Sequence, residues 1–124
     1  MEYEPGGPIT ITNQEIRLVF DSRMHGTVRF LKREGTLSLT GDVSGKASDL
    51  PPQYVITDDG IVSDFQVDYD AIRLEPIFAV FGAGRSYLIP GTSREPELEK
   101  TIRIDVYEKY PRAAVVTTLY TNRD

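Results

Sequence analysis

Cysteine is absent from the 124 residues, tryptophan is absent too, and histidine occurs once, as His25. Without cysteine there are no disulfides and no thiolate metal sites, and either a reducing or an oxidising compartment is compatible with the chain. Without tryptophan the chain lacks the ring that sugar-stacking surfaces favour. A lone imidazole, just before Gly26 and with only Asp21 nearby, reads as a turn residue before a catalytic or metal-binding one. No apolar run approaches the ~18 residues that cross a bilayer. The first eight residues, Met1-Glu2-Tyr3-Glu4-Pro5-Gly6-Gly7-Pro8, are acidic and turn-rich and lack the basic and apolar regions of a signal peptide. Basic runs are missing as well. With a net charge of -5, this argues against nucleic acid and against an anionic membrane surface as partners.

What the chain does have is punctuation: ten glycines and eight prolines at short intervals. No amphipathic helical window reaches three turns. Short strands between turn signals describe an all-β antiparallel sandwich in a single domain, residues 1–124. The expected strands are Ile9–Thr12, Glu15–Phe20, Thr27–Lys32 and Thr36–Thr40, which form a meander. Gly41 to Pro52 is a loop. Strands resume at Gln53–Thr57, turn at Asp58-Asp59-Gly60, and continue through Ile61–Tyr69 and Ala71–Phe81, where Pro76 marks an edge or a bulge. Gly82-Ala83-Gly84 is a sharp bend, Tyr87–Ile89 a short strand and Gly91–Pro96 a second loop. Alternation assigns the core to Ile16, Leu18, Phe20, Val28, Phe30, Leu37, Leu39, Phe65, Val67, Ile102, Ile104, Val106, Val115 and Leu119.

The last quarter is the most informative. Thr101–Tyr107 alternates, with Ile102, Ile104 and Val106 on one face. Glu108-Lys109-Tyr110-Pro111 turns the chain. Ala113–Tyr120 is apolar on both faces, as a central strand is. Three motifs stand here: Leu98-Glu99-Lys100-Thr101-Ile102, Tyr107-Glu108-Lys109-Tyr110-Pro111 and Tyr120-Thr121-Asn122. Upstream lies Gly84-Arg85-Ser86-Tyr87-Leu88-Ile89-Pro90-Gly91-Thr92-Ser93. Together they resemble a segment of the N-terminal β-sandwich of family 36-type α-galactosidases and related glycoside hydrolases. The resemblance covers about a third of the chain. It implies that the domain is part of a larger supersandwich preceding a (β/α)8 catalytic barrel. It also implies a periplasmic or secreted parent protein, with Met1 following a removed signal. The family's catalytic aspartates lie in the barrel, and no position here matches their motifs.

Candidate chemistry within the chain is thin. Asp64, Asp68 and Asp70 invite a calcium or general-acid reading, but alternation puts them on the polar face of a strand, where they discourage edge pairing. Asp58 and Asp59 are turn formers. The serines show no nucleophile-elbow pattern. Gly41-Asp42-Val43-Ser44-Gly45-Lys46-Ala47 is one residue short of a phosphate loop and has alanine where magnesium needs a hydroxyl; Gly82-Ala83-Gly84 lacks a third glycine and a helix. The seven tyrosines could stack on pyranose faces, and Tyr110, in a turn, is the ligand-binding candidate among them, although the turn motif also explains it structurally.

The sequence therefore describes a non-catalytic β-sandwich with no catalytic residue, no metal and no cofactor of its own. Its expected partner is the C-terminal catalytic domain of the parent protein. Free-standing carbohydrate binding and a structural or adhesive role in a surface protein are the alternatives. Because a turn signal follows Tyr120-Thr121-Asn122 directly, the next strand is expected beyond Asp124. The apolar strand left open there is expected to pair with a second copy, giving a homodimer through the C-terminal hairpin.

Overall fold

The computed structural model describes residues 1–31, 48–58, 60–94 and 97–122. Among these the chain is antiparallel β, and its one helical element is a 3-10 turn at Tyr69–Ala71. The first sheet runs in chain order through β1 (Glu2–Tyr3), β2 (Ile9–Asn13), β3 (Ile16–Phe20), β4 (Gly26–Phe30) and β5 (Ser48–Asp49). A hairpin of β6 (Val55–Thr57) and β7 (Gly60–Val62) follows as a separate two-stranded sheet. The second large sheet comprises β8 (Gln66–Val67), β9 (Arg73–Ala79), β10 (Gly82–Thr92), β11 (Leu98–Tyr107) and β12 (Ala114–Asn122). Its order is β12-β11-β10, and the far side of β10 is shared by β9 and β8.

The sheets share one core, filled from both sides by period-two alternation. Ile9, Ile11, Ile16, Leu18 and Phe20 of the first sheet are buried against Tyr87, Ile89, Leu98, Ile102, Ile104 and Val106 of the second. Register makes each set continuous: Ile9 stands opposite Phe20, and Ile11 opposite Leu18. Tyr87 likewise faces Ile104, and Ile89 faces Ile102. Burial of each Leu or Ile of this kind stabilises the fold by about 1.5–3 kcal/mol. Phe65 closes the core from the segment before β8, with no solvent exposure.

One end of the sandwich is sealed by turn-to-turn hydrogen bonds. Glu15 N–H donates to the Pro111 carbonyl at 3.1 Å, and Leu31 N–H to the Glu15 carbonyl at 2.8 Å. The Gln14 amide reaches the Glu108 carbonyl at 3.4 Å. The Glu15–Pro111 and Gln14–Glu108 bonds join the β2–β3 turn to the β11–β12 turn, and the Leu31–Glu15 bond ties it to the end of β4. At the other end Asp21 organises the β3–β4 loop. Its carboxylate accepts from Arg23 N–H at 2.9 Å and His25 N–H at 3.0 Å. That loop holds Met24 at φ 67 with its side chain buried, an uncommon conformation for a non-glycine residue.

Several expectations need correction. Gly82-Ala83-Gly84 is not a bend: the turn is at Val80-Phe81, and the glycines open an eleven-residue β10 that absorbs the short Tyr87–Ile89 strand and the start of the second loop. The reason is steric. A side-chain carbon on Gly84 would lie 2.2 Å from the Val106 carbonyl and 3.0 Å from the Tyr107 ring, so glycine here permits close strand approach. Ile61–Tyr69 is broken into β7, β8 and the 3-10 turn, although its face assignment holds: Phe65 is buried, Val67 and Tyr69 pack on the core, and Asp64, Gln66, Asp68 and Asp70 are exposed. The strand containing Ala113–Tyr120 is not central. Among the described residues β12 pairs with β11 alone. Val115 and Leu119, expected in the core, are on its outward face at 46% and 60% exposure. Ile9, Ile11, Met24, Tyr87, Ile89 and Leu98 join the core instead. Leu37, Leu39, the strand over 36–40 and the glycine loop over 41–47 lie outside the described residues.

The close approach at Gly84 gives a stability test. Gly84→Ala should lower the unfolding free energy by about 2–3 kcal/mol, as overpacking against backbone does. Gly7→Ala, with only a 3.4 Å neighbour, should change it by less than about 0.5 kcal/mol. Urea denaturation of the two variants checks both values.

Candidate functional site

A cavity of about 600 Å3 opens between the sheets. Phe20, Met24, His25 and Gly26 line it from the first sheet and its β3–β4 loop, and Lys100 and Val116 from the second. Among the described residues the connection Asp49-Leu50-Pro51-Pro52-Gln53 completes the lining. That connection is fixed at both ends. Leu50 N–H donates to the Gly26 carbonyl at 2.9 Å, and the Gln53 amide donates to the Thr118 hydroxyl on β12. The prolines withhold two donors and stiffen the backbone between those anchors.

Lys100 is the unusual member. It shares the inward face of β11 with Leu98, Ile102 and Ile104, and it is only 1% exposed. Among the described residues no carboxylate lies within ion-pair distance of its ammonium, and its side chain makes no hydrogen bond. Its ammonium sits 5.3 Å from the ring centre of Phe65 and 5.9 Å from that of Tyr120, and the two rings are 5.8 Å apart. Burial pulls the Lys100 ammonium below the usual lysine range. Burial also pushes the Tyr120 phenol up, and the Tyr120 hydroxyl is buried without a hydrogen-bond partner. Two cation–π contacts are worth at most about 2 kcal/mol each. Desolvation of an unpaired ion costs several kcal/mol. The lysine is therefore a net cost to the folded state.

The remaining candidates from sequence fall elsewhere. Asp64, Asp68 and Asp70 are exposed; no group of three or more His, Asp or Glu side chains able to hold a metal occurs among the described residues. Asp58 is exposed in its turn, and Asp59 lies outside the described residues. His25 lines the cavity mouth, its imidazole 3.9 Å from the Asp21 carboxylate, with both side chains more than half exposed. Tyr110 is 48% exposed and meets Phe81 edge-on, at 6.1 Å and 88° between ring planes. Phe81 also meets Tyr107, at 5.4 Å and 65°. Rings set at right angles do not share a plane on which a pyranose could lie, so Tyr110 belongs to a packed aromatic cluster. The buried Asp105 is paired with Arg103 at 3.0 Å, a bond that holds the guanidinium charged beyond its usual range.

Lys100 and the cavity are the feature that strand-by-strand reasoning passes over. The signal was nevertheless present: Lys100 has the same parity as Ile102, Ile104 and Val106, so the alternation that defines β11 puts it inside. Compared with protein-family models, with curated proteins and with solved structures, the chain matches none.

Replacing Lys100 by methionine keeps the length of the side chain and removes the charge. Lys100→Met should raise the unfolding free energy at neutral pH by about 1–3 kcal/mol. The sign of the pH dependence follows from a folded-state pKa below the unfolded one. In the window between those two values the unfolded chain binds more protons, so wild-type stability should rise with pH until it nears the ordinary lysine pKa of about 10.4. His25, Asp49 and the Tyr120 phenol also stand around the cavity or the ammonium. Their contributions largely cancel in the difference between wild type and Lys100→Met. That difference, measured by denaturation from pH 7 to 9.5, should shrink as pH rises.

Proposed function

We propose that the chain is a non-catalytic β-sandwich domain of a glycoside hydrolase of the α-galactosidase type, supporting a catalytic barrel carried elsewhere in the parent protein. The observation that carries this reading is where the sequence motifs fall in space. Leu98-Glu99-Lys100 and Tyr120-Thr121-Asn122 are far apart in the chain, yet the register sets Leu98 opposite Asn122, Glu99 opposite Thr121 and Lys100 opposite Tyr120. The Tyr107–Pro111 motif supplies the turn between them. Three motifs that resemble one family segment thus form one local unit, a long hairpin.

A second feature supports a role beside another domain. The core face of the second sheet outruns the first. Leu74, Phe78 and Val80 on the β9–β10 hairpin are exposed, Phe78 and Val80 at 86% and 91%. An apolar hairpin of this kind is suited to burial against the catalytic domain. The carbohydrate-binding alternative is weaker, because Phe81, Tyr107 and Tyr110 pack edge-to-face and offer no flat platform.

The purified chain is expected to release no nitrophenol from aryl α-galactosides. Turnover that disappears on substitution of one of its own aspartates would overturn the reading. Calorimetric titration with galactosides should show no micromolar binding; such binding would favour the carbohydrate-binding alternative.

The open strand β12 carries the oligomer expectation into the same proposal. It has no lysine, arginine or proline to guard its edge, and it shows Val115 and Leu119 to solvent. Antiparallel pairing of the Ala114–Tyr120 part of β12 with a second copy about a two-fold axis gives partners to ladder groups that pair with no second described strand, and covers these side chains. Light scattering should therefore report a dimer. Leu119→Lys should shift it toward monomer, and a wild type that stays monomeric at high concentration would rule the dimer out.

A further inference from the structure

We infer that the cavity between the sheets is a binding site for a small monocarboxylate with an apolar body, with Lys100 as the counter-ion of its carboxylate. The inference is independent of the glycosidase-domain reading.

Three observations converge on it. The first is the lysine: an ammonium has three donors, and Lys100 spends none of them on a hydrogen bond to a described residue, although it is almost completely buried and lines the cavity. Aromatic faces attract its charge but do not replace acceptors. The second is the chamber. Its volume, about 600 Å3, is that of a small-molecule site, which combines apolar walls with a few placed polar groups. Phe20, Met24, Leu50, Pro52 and Val116 are apolar walls, and among the described residues Lys100 is the one cation buried there.

The third is local sterics. Lys100 stands opposite Gly91 in the β10–β11 register. A side-chain carbon on Gly91 would fall 2.3 Å from Met24 Sδ and 2.7 Å from the Gln66 carbonyl. Met24 itself is held at positive φ. An uncommon backbone conformation, an obligatory glycine and an unpaired buried charge thus meet at one point. Such departures from ordinary folding rules concentrate at functional sites.

The charge count selects the ligand class. One buried ammonium balances one negative charge, and the exposed Asp49 carboxylate in the same lining disfavours a second one, so a monoanion fits and a phosphate dianion is left half-compensated. The apolar walls call for an apolar remainder. A carboxylate on Lys100 gains charge-assisted hydrogen bonds and restores to the ammonium the partner that burial removed.

The test titrates isotope-labelled chain with hexanoate, hexan-1-ol and inorganic phosphate, followed by NMR at the cavity residues and at lysine Cε. Hexanoate should bind with shifts at Met24, Leu50 and Val116 and a specific change at Lys100, about ten- to a hundredfold tighter than hexan-1-ol. Phosphate should leave these resonances unmoved. Lys100→Met should lose that preference for the acid while keeping the weak affinity for the alcohol. Val116→Phe, which fills the cavity and leaves the lysine, should weaken both. Equal affinity for acid and alcohol, no hexanoate binding, or undiminished hexanoate binding by Lys100→Met each overturns the inference. Should Lys100→Met fail to fold, the acid-to-alcohol ratio and the Lys100 Cε shift of the wild type decide it alone.

Discussion

The structure depends on β11 being hydrogen-bonded along its length on both sides, to β10 and to β12. Double pairing fixes its register twice over, and register in a strand decides which face every side chain takes. A slip of one residue would turn Ile102, Ile104 and Val106 to solvent and put Thr101, Arg103 and Asp105 inside. The Arg103–Asp105 pair on the opposite face reinforces the same choice, since two residues apart on one strand is the spacing that lets them meet. From β11 outward the constraint weakens. β10 is shared between two short partners, β12 has one neighbour among the described residues, and the β9–β10 hairpin ends outside the core altogether.

What could be read from sequence follows that gradient. The fold class and the inward faces of β3, β11 and the Phe65–Tyr69 segment were legible, because in them apolar residues recur at every second position. β10 was not. Gly82-Ala83-Gly84 carries a turn signal by composition, and Gly82 does stand at φ 93 beside the Val80-Phe81 turn, yet Gly84 answers a demand from across the sheet, the closeness of Val106 and Tyr107, which no local pattern shows. β12 failed for a different reason. Val115 and Leu119 are apolar and were assigned to the core on that ground, but no described element packs on the outward face of β12, and both are exposed. Hydrophobicity states what a residue would gain by burial, and whether something covers it is a property of the whole fold.

The site was half legible. Parity alone puts Lys100 inside, on the strand whose pattern is the clearest in the chain. What sequence could not show is its surroundings. Phe65 comes from before β8, Tyr120 from the far end of β12, and Leu50 to Gln53 from a loop whose path is set by its bonds to Gly26 and Thr118. A lysine on the inner face of a strand can usually extend its stem and bring the ammonium to water. Here the aromatic pair of Phe65 and Tyr120 holds the ammonium beside the cavity that Lys100 lines, and the residue as a whole stays buried.

That enclosure bears on how the two parts of the molecule relate. A sandwich whose sole task was to hold another domain could put leucine or methionine at position 100 and gain stability, since an apolar side chain of similar length would satisfy the core without an unpaired charge. Gly91 and Met24 would then be free to relax as well, because the crowding opposite position 100 serves no packing need that larger, ordinary residues could not meet. The costs at Lys100, Gly91 and Met24 are local and adjacent, while the inner faces elsewhere are mostly apolar, with the buried Asn13 at the end of β2 as an exception. The inward face of β11 thus carries both core residues, Ile102 and Ile104, and the lysine that lines the cavity, so the structural frame and the proposed site are two uses of the same strand.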